Sequence, residues 1–444
     1  MEFCDRYSRH FIQQGMHSVD HARHYLSGLL GVQRRKNIET IHNDVAGSDY
    51  QGMEQFISAS PWSHEAVMEQ LAADADGLLG DHEDTGLYFD ESSFLKKGKA
   101  SVGVQRQWSG RVGKLENCQV AVFACMGRGE RLAITDFRLY LPEGWCEDKA
   151  RCEKAKVPKD QRVYKAKWEL ALEMARQARD RGSRHGWIGM DSLYGSVATL
   201  LNELEDMGES FVADVCKTTK VWLNEPKLES CQKASGARGR PRKWERLSKE
   251  NTARYISVEK LVAESFDKES REVRYRQGQK GELWTRLWVR EVWSWEQGWA
   301  KPRPRKLIVR RDVDGSYKYT LTNKLAEKDW ERYGWLQGQR YWIEHAFHEA
   351  KSQLGMAQYQ VRVWRGWHHH MTLVSLALLF STKLKMDVER ETPLLSVRDI
   401  TELLDYYLPR RGMTEKEVIG RIRERHKKRQ SDIDRRKNEK TGIP

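Results

Sequence analysis

The sequence predicts a mixed α/β core, with a helical segment before it and a β-rich insertion within it. Three observations carry that prediction: short β-type runs follow one another from Gly86; helices and strands then alternate up to Val215; and the helical period disappears over residues 217–321 before returning at Leu325. A chain of 444 residues with 39% hydrophobic residues is long enough for about three folded units with real cores.

Residues 1–80 read as helices. Residues 19–30 are amphipathic, and 63–79 open on a Ser63 cap with Glu65 in the first turn and carry Val67, Met68, Leu71 and Leu78 near the 3.6 period. In 81–216, Leu87-Tyr88-Phe89-Asp90, residues 119–125 and residues 131–141 are β-type runs separated by Gly-containing turns, as in an antiparallel meander. A helix over 164–181, a strand at 187–190, a helix over 196–207 and a strand at 210–215 follow, which makes a mixed sheet with helices on its faces. Residues 217–321 form the insertion, with alternating strands at 254–258, 283–292, 306–309 and 317–321. It holds seven of the 17 tryptophans, read as its core, with Trp295 and Trp299 set apart as candidates to stack on a flipped base. Residues 322–385 resume the core with helices over 340–354 and 367–385, and 386–444 are a basic helical tail with helices over 397–408 and 414–429.

Charge is unevenly distributed. Lys and Arg number 77 against 64 Asp and Glu, a net +13. Residues 92–114 hold six basic residues and no acid, 217–246 nine against three, and 410–440 thirteen against six, so the remainder of the chain is net acidic. Discrete basic stripes suit a polyanion, because each phosphate neutralised releases a counterion. The longest nearly apolar run, residues 371–381, is about half the ~20 residues needed to cross a bilayer, which excludes a membrane span. The charged first ten residues lack an apolar signal region, so the expected location is the cytoplasm. Seven scattered cysteines without a C-x-x-C pair argue against a disulfide scaffold or a zinc ribbon.

Carboxylates stand where apolar strands end. Asp90 ends Leu87-Tyr88-Phe89, and Asp191 ends Trp187 to Met190 and opens the loop Asp191-Ser192-Leu193-Tyr194-Gly195. A buried carboxylate costs free energy unless it is paired or binds a cation, although each alone reads more often as a helix cap or turn residue. At about 100° per residue, Arg340, Glu344 and Lys351 share one helix face. By themselves Arg340 and Glu344 read as an exposed i,i+4 ion pair.

Taken together, these segments resemble the DDE transposases of bacterial insertion sequences, in the group whose RNase H-like core is interrupted by a β-strand insertion between the second and third acids. Tyr88-Phe89-Asp90-Glu91-Ser92-Ser93-Phe94, continuing through Lys96-Lys97-Gly98-Lys99, resembles that family's first strand, and Asp191 with Tyr194-Gly195 its second-acid loop. Arg340-x3-Glu344-x6-Lys351 resembles the Arg, Glu and Lys of its Tyr-x2-Arg-x3-Glu-x6-Lys signature, and the likeness extends to Tyr359 and Trp364-Arg365-Gly366-Trp367-His368. The sequence departs at the signature tyrosine, where Gln337 stands, and Tyr333 and Tyr341 are both open for its role.

The resemblance implies an α/β, RNase H-like mixed sheet flanked by helices, with the insertion and the N-terminal helical region, 1–80, as further parts and DNA binding expected of that region. It implies a metal-dependent transposase that binds the ends of an insertion sequence, cuts there and transfers the strands to target DNA. Asp90, Asp191 and Glu344 are then the catalytic residues and hold two Mg²⁺ ions, with Mn²⁺ able to substitute, through hard oxygen ligands. DNA contacts are expected at Arg340, Lys351, Lys96, Lys97, Lys99, Arg238, Arg240, Arg242 and Lys243, with a homodimer on DNA in a bacterial nucleoid. Two other classes stay open: a DNA-binding or domesticated regulator without chemistry, and a metal-free two-carboxylate hydrolase, against which the basic stripes count. Glu91 should point to the face opposite Asp90. His368, His369 and His370 diverge around a helix, which favours phosphate contact or helix-start solvation over a metal site.

Overall fold

The computed structural model describes residues 2–434 apart from 14–15, 33–34, 230–243, 279–280, 389–391, 393–394, 413, 417–418, 421, 424–425, 428 and 432–433. Arg238, Arg240, Arg242 and Lys243 therefore lie outside the described residues, as does part of the helix expected over 414–429.

The N-terminal part is helical: α1 (Val19–Leu29), α2 (Ile38–Asp44), α3 (Tyr50–Ser58) and α4 (His64–Leu79). The last three begin at side-chain caps, where Asn37, Asp49 and Ser63 accept hydrogen bonds from first-turn amides that have no helical partner. The sheet starts with antiparallel β1 (Gly86–Leu95), β2 (Gln105–Ser109), β3 (Lys114–Arg128) and β4 (Arg131–Leu139). After α5 (Lys167–Asp180), β5 (Trp187–Met190) pairs parallel with β1, and after α6 (Ala198–Asp206), β6 (Phe211–Val215) pairs parallel with β5.

β1 corrects one expectation. Asp90 lies inside a ten-residue strand and does not end it. The reason is pairing: β3 accompanies β1 along its whole length, whereas β5 stops at Met190, opposite Phe89. Asp90 is thus the first residue beyond the parallel ladder.

The insertion comprises β7 (Lys220–Trp222), β8 (Tyr255–Ser257), α7 (Val258–Glu269), β9 (Arg271–Gly278), β10 (Gly281–Ser294), β11 (Arg303–Arg311) and β12 (Tyr317–Thr322). Helix α7 departs from the all-strand expectation. Its Val258, Leu261, Val262 and Phe266 fall at helical spacing and are buried beneath the sheet in a core of the insertion's own, with Trp288, Val292 and Leu307. Because β12 pairs with β6, the insertion strands continue the core sheet. Among the described residues one 12-stranded sheet runs β8-β7-β10-β11-β12-β6-β5-β1-β3-β2, with β9 beside β10 and β4 beside β3. Trp295 is 6% exposed, and its carbonyl accepts from Trp222 Nε1 at 3.2 Å, so it belongs to the interior and the base-stacking expectation fails there.

The chain closes with α8 (Trp330–Gln339), α9 (Tyr341–Ser352), α10 (Trp364–Asp387) and α11 (Val397–Tyr407). Helix α10 packs on β4, α1, α3 and α4, and one buried cluster extends from Tyr7 through these helices and the sheet to Val397. A helix covered on so many sides is apolar around most of its circumference. The three histidines are buried with it, which overturns phosphate contact or solvation: His369 stacks on Trp62 at 3.7 Å between centroids, and His370 Nδ1 lies 2.8 Å from Tyr25 Oη. No helix among the described residues is long and apolar enough to cross a membrane.

Close approach of the loop after β5 to β6 requires glycine at 195, where an added Cβ would stand 2.0 Å from the Asp214 carbonyl oxygen. Gly195→Ala is expected to cost about 1–3 kcal/mol in urea unfolding, as overpacking against backbone does. An unchanged midpoint would contradict the tight seating of this loop.

Candidate active site

Strand register builds the site. Phe89 pairs with Met190 and Met190 with Ala213, so the next residues, Asp90, Asp191 and Asp214, stand side by side across three neighbouring strands at the end of their parallel ladder. Asp191, just past β5, caps the following helical turn, its Oδ1 accepting from the amides of Leu193 at 2.9 Å and Tyr194 at 3.4 Å. Asp214 Oδ1 accepts from Thr320 Oγ1 at 2.6 Å, and that hydroxyl accepts from Gln337 Nε2 at 2.8 Å. The hydrogen-bonded chain ties β6, β12 and α8 together beneath the site.

Arg340, at the junction of α8 and α9, reaches three carboxylates with one guanidinium. Nη1 is 3.5 Å from Asp90 Oδ2, Nε is 3.1 Å from Asp214 Oδ2, and Nη2 is 2.7 Å from Glu344 Oε1. Glu344, one turn into α9, is 55% exposed at its side chain, whereas Asp90 is buried. Seven residues on, Lys351 Nζ donates to the Ser93 carbonyl at 3.3 Å and lies 5.4 Å from the centre of the Phe94 ring. The structure therefore brings Asp90, Asp191, Arg340 and Glu344 into one neighbourhood and adds Asp214. With Arg340 between them, no three His, Cys, Asp or Glu side chains among the described residues are grouped closely enough to hold a metal.

The electrostatics follow from burial. Desolvation, then the charge of Asp191, pushes Asp90 up to about 7 against the opposing pull of Arg340. Burial also raises Asp191, again opposed by Arg340. Burial disfavours the charged form of Arg340, but Asp214, Asp90 and Glu344 outweigh it and hold the guanidinium protonated. Lys351 is lowered to about 8 by burial, with Arg111 adding repulsion.

Other expected residues are placed as follows. Lys97 and Lys99 are exposed beyond the end of β1, while Lys96 turns inward, its Nζ 3.4 Å from the centre of the Tyr359 ring. Glu91 is paired with Lys167 Nζ at 2.7 Å, and its charge also adds to the raising of Asp191. Gln337, at the signature-tyrosine position, supports Thr320. Tyr333 is buried with its hydroxyl donating to the carbonyls of Lys324 and Glu327. Tyr341 lies beneath the Arg276 guanidinium at 3.8 Å and, with Trp284, Arg310, Asp214 and Glu344, lines a cavity of about 390 Å³ beside the acids. Asp214 is the residue that sequence reasoning missed. It interrupts the apolar run Phe211-Val212-Ala213-Asp214-Val215 in the same way that Asp90 interrupts its strand, so the signal was present.

Comparison with known proteins bears on this arrangement. Residues 12–282 match the family described as DDE superfamily endonuclease. Over 219 residues the chain is 24% identical to a probable transposase for insertion sequence element IS701 from Microchaete diplosiphon. That match covers 48% of this chain and 53% of that protein, so the chain spans about half the length of the relative it matches.

A pH dependence follows. Asp90 keeps its proton to higher pH in the folded protein than in the unfolded chain, where its ordinary value is 3.8. Its contribution to stability is therefore full below that value and lost as pH rises through about 7. In EDTA, Asp90→Asn is expected to remove up to about 4 kcal/mol of this acid-to-neutral decline, seen as a flatter Tm profile. Identical profiles for the two proteins would contradict the crowding of charge at Asp90.

Proposed function

Since the chain belongs to the DDE superfamily of endonucleases, we propose that it is a DNA transposase whose reacting phosphate sits at Asp90, Asp191 and Glu344. The observation that carries this reading is the row of carboxylates at the end of the parallel ladder, gathered around one arginine. Metal fit rests on the donors: Asp90, Asp191 and Glu344 offer only hard oxygens, and Asp90 is raised by burial first and then by the charge of Asp191, which Arg340 opposes only in part. These three residues would hold two Mg²⁺ or Mn²⁺ ions, which supply Lewis-acid polarisation of a phosphodiester and activation of the attacking oxygen.

The chain's own residues do the rest. Asp214 retains Arg340 through Nε while the guanidinium gives up Asp90 and Glu344, leaving its Nη atoms for a DNA phosphate. Lys351 adds a second positive charge on the same helix face. Hydrolysis breaks the P–O3′ bond at an element end and leaves a 3′-hydroxyl; that hydroxyl then attacks a phosphodiester of target DNA, forming a new P–O3′ bond as the target's own P–O3′ bond breaks and its 3′-oxygen leaves as a hydroxyl, and neither step consumes ATP. Because two ends must be held together, the working form is a homodimer on DNA, with residues 1–80 contributing to end recognition.

Cleavage of a plasmid carrying the element's ends tests the reading. Wild type is expected to cut with Mg²⁺ and not with EDTA. Glu344→Gln, an exposed and therefore structurally tolerant change, is expected to bind the ends while cutting at least about 10²-fold more slowly, the scale set by loss of a group that acts in the transition state. A wild type that binds the ends yet never cuts with Mg²⁺ or Mn²⁺ would contradict it.

A further inference from the structure

The hairpin β2–β3 carries large apolar side chains outside any core. Trp108 is 54% exposed and Leu115 57%, and the two are directly paired across the strands. Val112 in the turn is exposed as well. An indole left in water beside two aliphatic side chains marks a contact surface when it is rimmed by one sign of charge. Here the rim is Lys97, Lys99, Arg106 and Arg111, all exposed, and among the described residues none of them has a carboxylate in salt-bridge range. Lys114 pairs with Glu116 at 3.5 Å.

The hairpin is held rigidly to the candidate active site. Ser109 and Ser93 share a hydrogen bond at 2.7 Å between hydroxyls, and the Ser93 carbonyl accepts from Lys351 Nζ. Amides of Val112 and Gly113 both donate to the Ser109 carbonyl and close the turn, with Gly113 at φ +63°. Side chains alternate along strands, and Asp90 pairs with Phe123, so Leu115 and its partner Trp108 project from the sheet face that carries Asp90. The eight residue steps from Phe123 to Leu115 span about 27 Å, less than one turn of a DNA duplex, about 34 Å.

We infer that this hairpin is a groove-reading ribbon that docks on the duplex being cut, with Trp108 and Leu115 against base edges and Lys97, Lys99, Arg106 and Arg111 against the flanking phosphates. A two-stranded ribbon fits the major groove, and apolar side chains there meet thymine methyl groups. The inference rests on the proposed function, since it takes the scissile phosphate to lie at Asp90.

Anisotropy titration of the full chain with a fluorescein-labelled duplex carrying the element's end and its flank tests it. Trp108→Ala is expected to bind roughly tenfold more weakly, with Trp108→Phe within about threefold of wild type, as for a contact made through an aromatic face. Salt dependence should be unchanged in Trp108→Ala and fall by about one unit of slope in Arg111→Ala, which loses a phosphate contact. Tm should be unchanged in all three variants, because the side chains are exposed. If wild type fails to bind this duplex, the proposed function falls and the inference with it. If wild type binds and cuts while Trp108→Ala binds and cuts equally well, the inference alone is overturned. A Trp108→Ala protein that cuts normally but fails only to join the product to a second duplex would also overturn it, since the hairpin would then serve target DNA.

Discussion

One guanidinium sets the terms for the candidate site. Arg340 is the cation shared by Asp90, Asp214 and Glu344, and with it in place the carboxylates repel one another less than their packing implies. Asp90 still resists ionisation, first because it is buried and then because Asp191 stands beside it. Removing one member of a buried charged group leaves the others uncompensated, which costs more than the pairing contributed. A site built this way is held together by its arginine, and under the proposed function that arginine gives way to divalent ions.

The sheet explains why that arginine stands there. Parallel pairing of β1, β5 and β6 fixes the three aspartates at one level. The pairing of β6 with β12 then brings Thr320 onto Asp214 and joins the insertion to the core as one sheet. Chain leaving β12 enters α8, so Gln337 comes to lie on Thr320 and Arg340 on Asp214. The strands between Asp191 and Glu344 are therefore part of the scaffold that positions Arg340 and Glu344.

Much of this was legible in the sequence, and what was not has physical causes. Asp90 and Asp191 stood out because a carboxylate contradicts the apolar run it interrupts, and helix angle alone put Arg340, Glu344 and Lys351 on one face. Asp214 carried the same contradiction, but what distinguishes it is register across β5 and β6, and register is not a local property. The order of elements was readable from period, yet α7 was not, because the β-type run at 254–258 leads straight into it and the strands on either side set the pattern. For the histidines, spacing argued against a shared metal but said nothing of their burial, which depends on α1, α3 and α4 closing over α10, contacts made hundreds of residues apart. Exposure of Trp108 was invisible for the converse reason: nothing in a sequence says which aromatic side chains the fold leaves uncovered.

Anomalous diffraction at the manganese edge from crystals soaked in Mn²⁺ tests most directly the claim that these carboxylates hold divalent ions in place of Arg340. The account predicts anomalous density among Asp90, Asp191 and Glu344, with the guanidinium withdrawn from Asp90 and still held by Asp214. Saturating Mn²⁺ that leaves no density there, with Arg340 still paired to both Asp90 and Glu344, would contradict it.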